Sequence, residues 1–330
     1  MKKNKNIILS LDNIIVEMKE EMLDILEKYF LKATYIFGSE PPKREQTFFY
    51  KKIKQMSRYN NTPNFIKRLY IKLQEKYYLK NLKNFKEIDY VLTIGGVYYN
   101  PKFIKMVKEE NPNIKFICFL WDKYPQEIIA QYKKDYDFVY TFEKEDALKN
   151  NIIWQPSFYL ESEQLKNIEK KVDCYYLGNL RDNFRYEILK EMEKLSEKYN
   201  LNTNLKLYSL KKSKEKLITN KKLSYKENLK CIKEARVSLE INIKGQKGLT
   251  LRSLECLVYN TKLITTNDDI LNYDFYDENN IRVIKNKEDL NKIPIEFFKT
   301  NYVEISQHIK KKYSFEGFIK KIFEKEIGNE

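Results

Sequence analysis

The sequence predicts an α/β protein with two successive parallel-sheet domains. The first observation is an alternation of apolar, β-rich runs with amphipathic stretches, which is typical of parallel sheets with crossover helices. The second is length, because 330 residues are too many for one ordinary core and suit two domains. The third is composition, since 42% hydrophobic and 14% aromatic residues are enough to build two cores.

The first domain is predicted over residues 1–160. Its short apolar runs are rich in the β-branched and aromatic residues that favour strands. Amphipathic stretches lie between these runs, and Pro101 opens one of them, because proline is tolerated in the first turn of a helix. The six predicted strands span residues 6–11, 33–37, 89–94, 115–121, 137–142 and 152–156.

Residues 41–86 interrupt this alternation. They contain 13 Lys or Arg and two Glu, a net charge of +11, with aromatic residues interleaved. Helical spacing with a lysine-rich face predicts a helical insertion in the first domain. Such a helix either lies on an anionic membrane surface or tracks a nucleic-acid backbone while its aromatic side chains stack on bases. A solvated helix pair whose aromatic side chains pack on the sheet is the third interpretation, and the sequence leaves all three open.

The second domain is predicted over residues 172–330, after a polar linker at 161–171, and it ends in helices. Two such units in succession predict a cleft between two nucleotide-binding domains. The strands are predicted at 172–178, 205–210, 236–243, 262–267 and 280–285, and the helices include 185–199, 226–235 and 301–326.

The composition argues against several function classes. The single histidine, His308, disfavours Ser-His-Asp hydrolase chemistry and histidine-rich metal sites. The four cysteines lack CxxC spacing and read mainly as core residues. No apolar run reaches the roughly 18 residues of a membrane span, so we expect a cytoplasmic protein. The net charge of +15 favours anionic partners, although a biased base composition of the gene gives the same excess of lysine.

The basic loop that ends at Thr250 holds two of the eight glycines of the chain, Gly245 and Gly248. Thr250 is a natural N-cap for the helix that follows, whose first-turn N–H groups then carry positive potential. Gly248 lets the backbone approach a ligand closely, and Lys244 and Lys247 add full charges. This loop therefore predicts an anion site, and phosphate is the usual occupant of such a site.

Glu255 follows the cap by five residues, which is about 7–8 Å along the helix axis at 1.5 Å per residue. A carboxylate at that depth accepts hydrogen bonds from a ribose beyond the phosphates. Arg252 lies three residues before Glu255, so the two side chains also have the spacing of an ion pair. The spacing alone leaves both roles open.

The stretch YYLGNLRDNFR, residues 175–185, is a second place where a predicted strand passes through a glycine-containing loop into a helix with cations nearby. Gly178 and Asn179 end the predicted strand, and Arg181 and Arg185 flank the start of the helix. Guanidinium groups grip phosphate in a bidentate manner, whereas a helix start with ordinary surface charges is the alternative. Two anion-binding helix starts in one α/β domain fit a diphosphate-linked ligand.

The stretch GLTLRSLECLVYNTKLITTN, residues 248–267, resembles the C-terminal signature of CgeB-like and related glycosyltransferases, the group 1 glycosyl transferases of GT-B architecture. The shared pattern reads roughly G-x-T-x-R-x-x-E-x-L, followed by an apolar strand that ends in Thr. The resemblance covers residues 172–326, and over 1–156 it is only architectural. The family usually has a glycine after this helix, where this chain has Tyr259 and Asn260; asparagine also adopts the left-handed conformation that ends a helix.

The resemblance implies two Rossmann-like domains that face a cleft, with the basic insertion in the N-terminal one. It also implies a metal-independent glycosyltransferase without a cofactor, which moves a sugar from a nucleoside-diphosphate sugar to a glycan or lipid-linked acceptor. Surface polysaccharide biosynthesis, such as that of lipopolysaccharide or capsule, is the implied setting, and the inner face of the membrane is the implied location. No nucleic acid is expected as a partner.

The resemblance further implies how the donor is held. Glu255 would bind the ribose, while Arg181 and Lys247 would stabilise the leaving diphosphate. The other residues of the implied donor site lie in the same two loops and helix starts: Gly178, Asn179, Arg185, Lys244, Gly248, Leu249, Thr250 and Arg252.

Candidate residues on the acceptor side lie in the first domain. Gly95 and Gly96 follow one predicted strand, and Asp12 ends another. Asp122 also follows a strand, and ligands of open α/β sheets bind beyond such carboxyl ends. We predict Asp122 as the general base that deprotonates an acceptor hydroxyl. A helix N-cap before Pro125 is the other interpretation of this aspartate.

Two further function classes stay open at this point. A nucleic-acid-binding protein would use the basic aromatic region 41–86 and would lose affinity steeply with salt. A non-catalytic scaffold would bind a nucleotide without turning it over.

Overall fold

The computed structural model of the chain describes residues 4–11, 14–36, 47–57, 62–81, 85–95, 99, 101–162, 168–211 and 213–324. The chain divides into two compact units, Met1–Trp154 and Gln155–Glu330, called the first and the second unit below.

The first unit contains a parallel sheet of six strands in the order β2-β1-β3-β4-β5-β6. All six strands were predicted from the sequence. They are β1 (Asn6–Leu11), β2 (Lys32–Tyr35), β3 (Tyr90–Ile94), β4 (Lys115–Leu120), β5 (Phe138–Thr141) and β6 (Ile153–Trp154). The helices of this unit are α1 (Lys19–Leu26), α2 (Phe48–Ser57), α3 (Asn64–Asn81), α4 (Pro101–Glu110), α5 (Gln126–Asp135) and α6 (Lys144–Asn150).

The core of the first unit follows from the apolar composition of its central strands. All residues of β3 are buried, as are all but the first of β4, which is expected of parallel strands that helices cover on both faces. Phe116 and Cys118 of β4 are fully buried in this core, so Cys118 is a core residue as predicted. Helices α2 and α3 lie between β2 and β3 in the chain, which confirms the predicted helical insertion.

The second unit contains another parallel sheet of six strands, in the order β12-β11-β10-β7-β8-β9. Its strands are β7 (Val172–Asn179), β8 (Thr203–Tyr208), β9 (Ile218–Thr219), β10 (Ala235–Glu240), β11 (Lys262–Thr265) and β12 (Ile281–Val283). Its helices are α7 (Asn183–Tyr199), α8 (Tyr225–Glu234), α9 (Leu251–Val258), α10 (Glu296–Lys299), α11 (Gln307–Lys312) and α12 (Phe315–Ile322). The sequence did not predict β9, which has only two residues.

Both sheets reverse their strand order once. In the second unit the chain moves from β7 outward to β8 and β9, and then places β10, β11 and β12 on the other side of β7, which is the Rossmann order. In the first unit the reversal lies between β1 and β3, where Leu11 pairs with Ile94. The predicted fold class, two Rossmann-like α/β units, is therefore confirmed.

Local signals set the ends of several helices in the second unit. Asp182 caps α7, and Ser224 forms a capping box with Glu227 at the start of α8. Asn260 follows α9 with a φ of 51°, which confirms the left-handed conformation predicted for it. The helical tail predicted at 301–326 is broken into α11 and α12, because Ser314 accepts a hydrogen bond from the N–H of Gly317 and so starts a new helix.

The segment that follows β6 packs within the second unit. The ring of Phe158 lies 5.0 Å from that of Phe315 and 4.7 Å from that of Phe318, between ring centroids. The N–H of Tyr159 donates to the carbonyl of Tyr313 at 2.9 Å. This segment and α12 therefore share one small core.

Candidate functional site

The two loops that the sequence singles out follow neighbouring strands of one sheet. Strands β7 and β10 pair in parallel, with Ser238 opposite Tyr175. The chain leaves β7 toward α7 on its way to β8, and leaves β10 toward α9 on its way to β11. The carboxyl ends of β7 and β10 therefore form the point at which the strand order reverses, and open α/β sheets bind ligands in the crevice at such a point.

Both helices that start at this point are capped by a side chain. Thr250 caps α9, as predicted, and its hydroxyl oxygen accepts a hydrogen bond from the N–H of Arg252 at 3.2 Å. Asp182 caps α7 and accepts a hydrogen bond from the N–H of Arg185 at 3.0 Å. The other N–H groups of each first turn have no intrahelical partner, and the helix dipoles make both starts attractive to anions.

Glu240 at the end of β10 is a buried hub that the sequence analysis did not identify. Its Oε1 accepts hydrogen bonds from the hydroxyls of Thr250 and Ser253, the latter at 2.7 Å, and its Oε2 accepts one from Thr265. One carboxylate thus joins β10, the start of α9 and the end of β11. The available signal was an acidic residue inside the apolar run RVSLEINI.

Arg185 bridges the ends of the two central strands. Its Nη1 donates to the carbonyl of Asn179 at 3.1 Å, and its Nη2 donates to the carbonyl of Ile241 at 2.9 Å. The residue is 8% exposed, and its Nε is buried without a hydrogen-bond partner among the described residues. The predicted diphosphate ligand Arg185 therefore lies at the predicted site, and two of its donors hold strand ends together.

Arg252 makes a second bridge between the same strands. It donates to the carbonyl of Leu177 at 2.8 Å and to that of Leu239 at 3.1 Å. The centre of its guanidinium group lies 5.8 Å and 5.4 Å from the ring centroids of Tyr175 and Tyr176, in cation–π range. The guanidinium group of Arg252 therefore donates to strand carbonyls, and not to Glu255 as the sequence spacing allowed.

Glu255 is buried inside the second unit, with 2% of its surface exposed. Burial raises the pKa of its carboxyl, and the positive charge of Arg252 and the nearby Tyr225 hydroxyl partly oppose this rise. Neither Glu255 Oε1 nor the Tyr225 hydroxyl has a hydrogen-bond partner of normal geometry among the described residues. The structure thus leaves the predicted ribose ligand as a buried acceptor with unused hydrogen-bonding capacity.

The exposed groups of the predicted site are mainly cationic. Arg181 follows β7, and Lys244 and Lys247 lie in the loop between β10 and α9; all three are exposed, as is Asn179. Thr250 is half-buried beside them. These side chains are the ones that a phosphate in solvent reaches first.

The backbone of the same loop is fixed from behind. Gly248 and Leu249 are buried. The side-chain amide of Asn267 donates to the carbonyls of Lys247 and Gly248, at 2.9 Å and 3.4 Å. Asn267 was not predicted as a site residue, because its partners lie about 20 positions away in the sequence.

Gly178 is required by the packing of its own strand. A Cβ atom added there would lie 2.4 Å from the hydroxyl oxygen of Tyr176, which is itself buried. A larger residue would therefore displace Tyr176 and, with it, the ring beneath Arg252.

Two of the acceptor-side candidates, Gly95 and Asp122, are described by the structure, and each follows a strand of the first unit. Gly95 follows β3 with a φ of 81°, a conformation that favours glycine, and its N–H donates to the carbonyl of Phe119 at 3.1 Å. Asp12 and Gly96 lie outside the described residues. Asp122 is exposed after β4, and because Pro125 occupies the cap position of α5, the N-cap interpretation of Asp122 was wrong.

Three observations bear on other kinds of site. Within the described ranges, no group of three or more His, Cys, Asp or Glu has metal-binding geometry. No helix in that part of the chain combines the length and the apolarity needed to cross a membrane. A cavity of about 600 Å³ at the end of β12 is lined by none of the predicted site residues; Arg282, Lys285 and Pro294 are among the residues that line it.

Comparisons with known proteins bear on the fold only. No family model matches the chain, and no curated protein does. A trehalose-6-phosphate phosphatase N-terminal domain from Candida albicans is similar over 98% of this chain and 96% of that one, with 12% identity and a TM-score of 0.56. A UDP-N-acetylglucosamine 2-epimerase from Rickettsia bellii is similar over 97% and 95%, with 11% identity and a TM-score of 0.49. The spinosyn forosaminyltransferase SpnP is similar over 99% and 100%, with 10% identity and a TM-score of 0.44.

At these identities the likeness concerns the fold alone. The likeness extends over nearly the whole length of this chain and of the phosphatase domain, and it does not reach the level of the CgeB-like signature. That finer resemblance stays a prediction.

Proposed function

We propose that this protein is a glycosyltransferase that takes a sugar from a nucleoside-diphosphate sugar and transfers it to a glycan or lipid-linked acceptor. The observation that carries the proposal is the pairing of two capped helix starts, those of α7 and α9, at the single reversal point of the second sheet. Exposed cations flank both starts, which suits the two phosphates of a diphosphate.

The donor diphosphate would lie against these helix starts. Lys244, Lys247 and Arg181 would supply full positive charges, and the N–H groups of the first turns would supply fixed dipoles. Arg185, Arg252 and Glu240 would act as positioning residues, because their hydrogen bonds hold the strand ends and the loop that carry these groups. Preorganised charge of this kind stabilises a leaving group without rearrangement during the reaction.

Glu255 would bind the ribose through hydrogen bonds. Its Oε1 has no hydrogen-bond partner among the described residues, and two ribose hydroxyls are donors that such an oxygen accepts. Because the residue is 2% exposed, the ribose would have to enter beside the first turn of α9 and displace the contact with Tyr225. Nucleotide binding would then satisfy an acceptor that the unbound protein leaves unused.

In the transfer step, the acceptor hydroxyl oxygen forms a bond to the anomeric carbon of the sugar. The bond between that carbon and the diphosphate oxygen breaks, and the nucleoside diphosphate leaves with the electron pair. Asp122, exposed beyond the carboxyl end of β4, is the proposed base that takes the proton of the hydroxyl. Arg181 and Lys247 would stabilise the charge that develops on the departing diphosphate, so we propose that no metal is required.

A thermal-shift screen with UDP, GDP, CMP and their sugar conjugates tests the proposal. A ligand present at 100 times its Kd stabilises a protein by about 2.7 kcal/mol, which is readily measured. We expect the UDP or the GDP series to raise the melting temperature more than the monophosphate CMP series does. Lys247→Glu and Arg181→Glu should each reduce this shift. Lys198→Glu is the matched control, because Lys198 lies in the last turn of α7, about 20 Å along the helix from its start.

Glu255→Ala separates the ribose assignment from the diphosphate assignment. It should abolish stabilisation by nucleosides and reduce that by nucleoside diphosphates to the level given by inorganic pyrophosphate, which should itself be unchanged. A response of this variant equal to that of the parent would show that the ribose lies elsewhere. If no nucleotide stabilises the parent protein at all, the proposed function is wrong.

A further inference from the structure

The helical insertion of the first unit has two faces of opposite character. In α2 the buried face consists of Tyr50 and Ile53, whose side chains pack inward. Phe48, which is 83% exposed, lies on the opposite face, and Phe49, which is 53% exposed, lies at the edge of the buried face. The aromatic residues of this helix therefore do not all serve the core, and the interpretation of a fully packed helix pair holds for only one face.

Helix α3 has the same arrangement. Ile66 is buried, whereas Phe65 is 68% exposed and Ile71 is also exposed. The ring centroids of Tyr50 and Tyr70 lie 5.8 Å apart, so the start of α2 packs against the middle of α3 in an antiparallel hairpin. Exposed aromatic side chains thus occur at the start of α2 and at the start of α3, on two packed helices.

The cations of the hairpin lie on the exposed faces together with the aromatic side chains. Lys52 lies four residues after Phe48, and Arg68 and Lys72 lie three and seven residues after Phe65, so each pair shares a helix face. All three cationic side chains are exposed. Over the two helices the sequence has eight Lys or Arg and one Glu.

We infer that the exposed faces of α2 and α3, carrying Phe48, Phe49, Phe65 and Ile71 with Lys52, Arg68 and Lys72, dock on an anionic phospholipid bilayer. Phenylalanine rings enter the boundary between headgroups and acyl chains, while lysine and arginine side chains contact the headgroup phosphates. This inference goes beyond the proposed sugar transfer and depends on different residues.

Exposed aliphatic side chains on α2 and α3 favour a lipid bilayer over a nucleic acid as the partner of these helices. Bases stack on aromatic rings, and a nucleic-acid groove uses cations with aromatic platforms. Ile71 of α3 and Met56 of α2 are also exposed, and Met56 lies seven residues after Phe49, on the same side of α2. These aliphatic side chains gain from an acyl environment rather than from stacking. The combination of apolar bulk and positive charge is complementary to a lipid surface.

Flotation with lipid vesicles tests the inference on the full-length protein. One set of vesicles contains equal parts of phosphatidylcholine and phosphatidylglycerol, and the other contains phosphatidylcholine only. We expect binding to the anionic vesicles and at least about tenfold weaker binding to the neutral ones, because each basic residue near an anionic surface contributes about 1 kcal/mol.

Two variants divide the apolar and the charged contributions. Phe48→Ser with Phe49→Ser should weaken binding to the anionic vesicles by roughly tenfold, since two partly inserted rings are lost. Lys52→Glu with Arg68→Glu should also weaken binding to the anionic vesicles and should reduce its salt dependence, since six of the eight cations of the two helices remain. Leu148→Ser is the matched control, because Leu148 is 85% exposed on α6 of the same unit, and it should bind like the parent.

Three outcomes would overturn the inference. The first is equal binding of the parent and the phenylalanine variant, and the second is equal binding to neutral and anionic vesicles. The third is a result in which the variants change only a monomer–dimer equilibrium, measured by analytical ultracentrifugation, and leave vesicle binding unchanged. The exposed faces would then contact a second copy of the chain. The same variants should show the nucleotide-induced thermal shifts of the parent, because their substitutions lie outside the proposed donor site. The vesicle test is therefore independent of the proposed function.

Discussion

Arg252 on α9 donates a 2.8 Å hydrogen bond to the carbonyl of Leu177 on β7, across 75 residues of sequence. The same guanidinium donates to the carbonyl of Leu239 on β10 at 3.1 Å. A single side chain therefore links the two strands whose ends bracket the proposed diphosphate site. It also ties the start of α9 to both of them, so the geometry of the site depends on a residue that need not touch the ligand.

Arg252→Lys tests this bridge. Lysine keeps the charge, but one ammonium group lacks the fork of donors that serves two carbonyls, so we expect a loss of about 1–3 kcal/mol in the free energy of unfolding. Urea denaturation measures the loss. Arg236→Lys is the control, because the Arg236 guanidinium makes a partly exposed contact of 3.7 Å with Asp173. Equal losses in the two variants would contradict the bridging role.

The Glu240 hub predicts coupling between three hydroxyls. Glu240→Ala should lower the free energy of unfolding by about 1–3 kcal/mol, because the hydroxyls of Thr250, Ser253 and Thr265 lose their common acceptor. Thr265→Val alone should cost less, and it should cost less still in the Glu240→Ala background. A double-mutant cycle by urea denaturation measures this difference. Strictly additive losses would show that the carboxylate does not hold the hydroxyls together.

The buried carboxyl of Glu255 predicts a pH dependence of stability. Its pKa in the folded protein is raised above the ordinary value of 4.5, so the folded state binds this proton more tightly than the unfolded state does. The stability of the parent therefore falls, on account of this group, as the pH rises above about 4.5 toward the raised folded pKa. Glu255→Gln cannot ionise and lacks this loss.

The measurement is the difference in free energy of unfolding between Glu255→Gln and the parent, taken at several pH values from 5 to 8. We expect this difference to move in favour of the variant as the pH rises. Tyr225→Phe is the control, since it retains the carboxyl and should still lose stability as the pH rises. Because the Tyr225 hydroxyl opposes the rise of the Glu255 pKa, this loss should extend to higher pH than in the parent. A difference that stays constant over the range would mean that Glu255 titrates alike in the folded and unfolded chains.

Local features of the site could be predicted from the sequence. Thr250 caps α9 as predicted, because capping depends on residues within one turn, and Asn260 adopts the left-handed conformation expected of a helix end. The positions of both loops at strand ends also followed from the alternation of apolar runs and helices. The pairing of β7 with β10, however, could not be predicted, because it depends on the order of the strands in the sheet and no local sequence pattern specifies that order.

The roles of the long-range residues could not be read from the sequence. Arg185 and Arg252 have the composition of phosphate ligands, but they donate to carbonyls of strands that are distant in the chain. Glu240 and Asn267 draw their importance from partners on other elements. In the insertion, helical spacing predicted a basic helix but did not separate Tyr50, which is buried, from Phe48, which is exposed.

A co-crystal structure with the nucleoside diphosphate that best stabilises the protein tests the central claim most directly. We expect the diphosphate to lie across the first turns of α7 and α9, within hydrogen-bond distance of Arg181 and Lys247, with the ribose at Glu255. A nucleotide found in the cavity beyond β12, beside Arg282 and Lys285, or elsewhere away from the ends of β7 and β10, would contradict it.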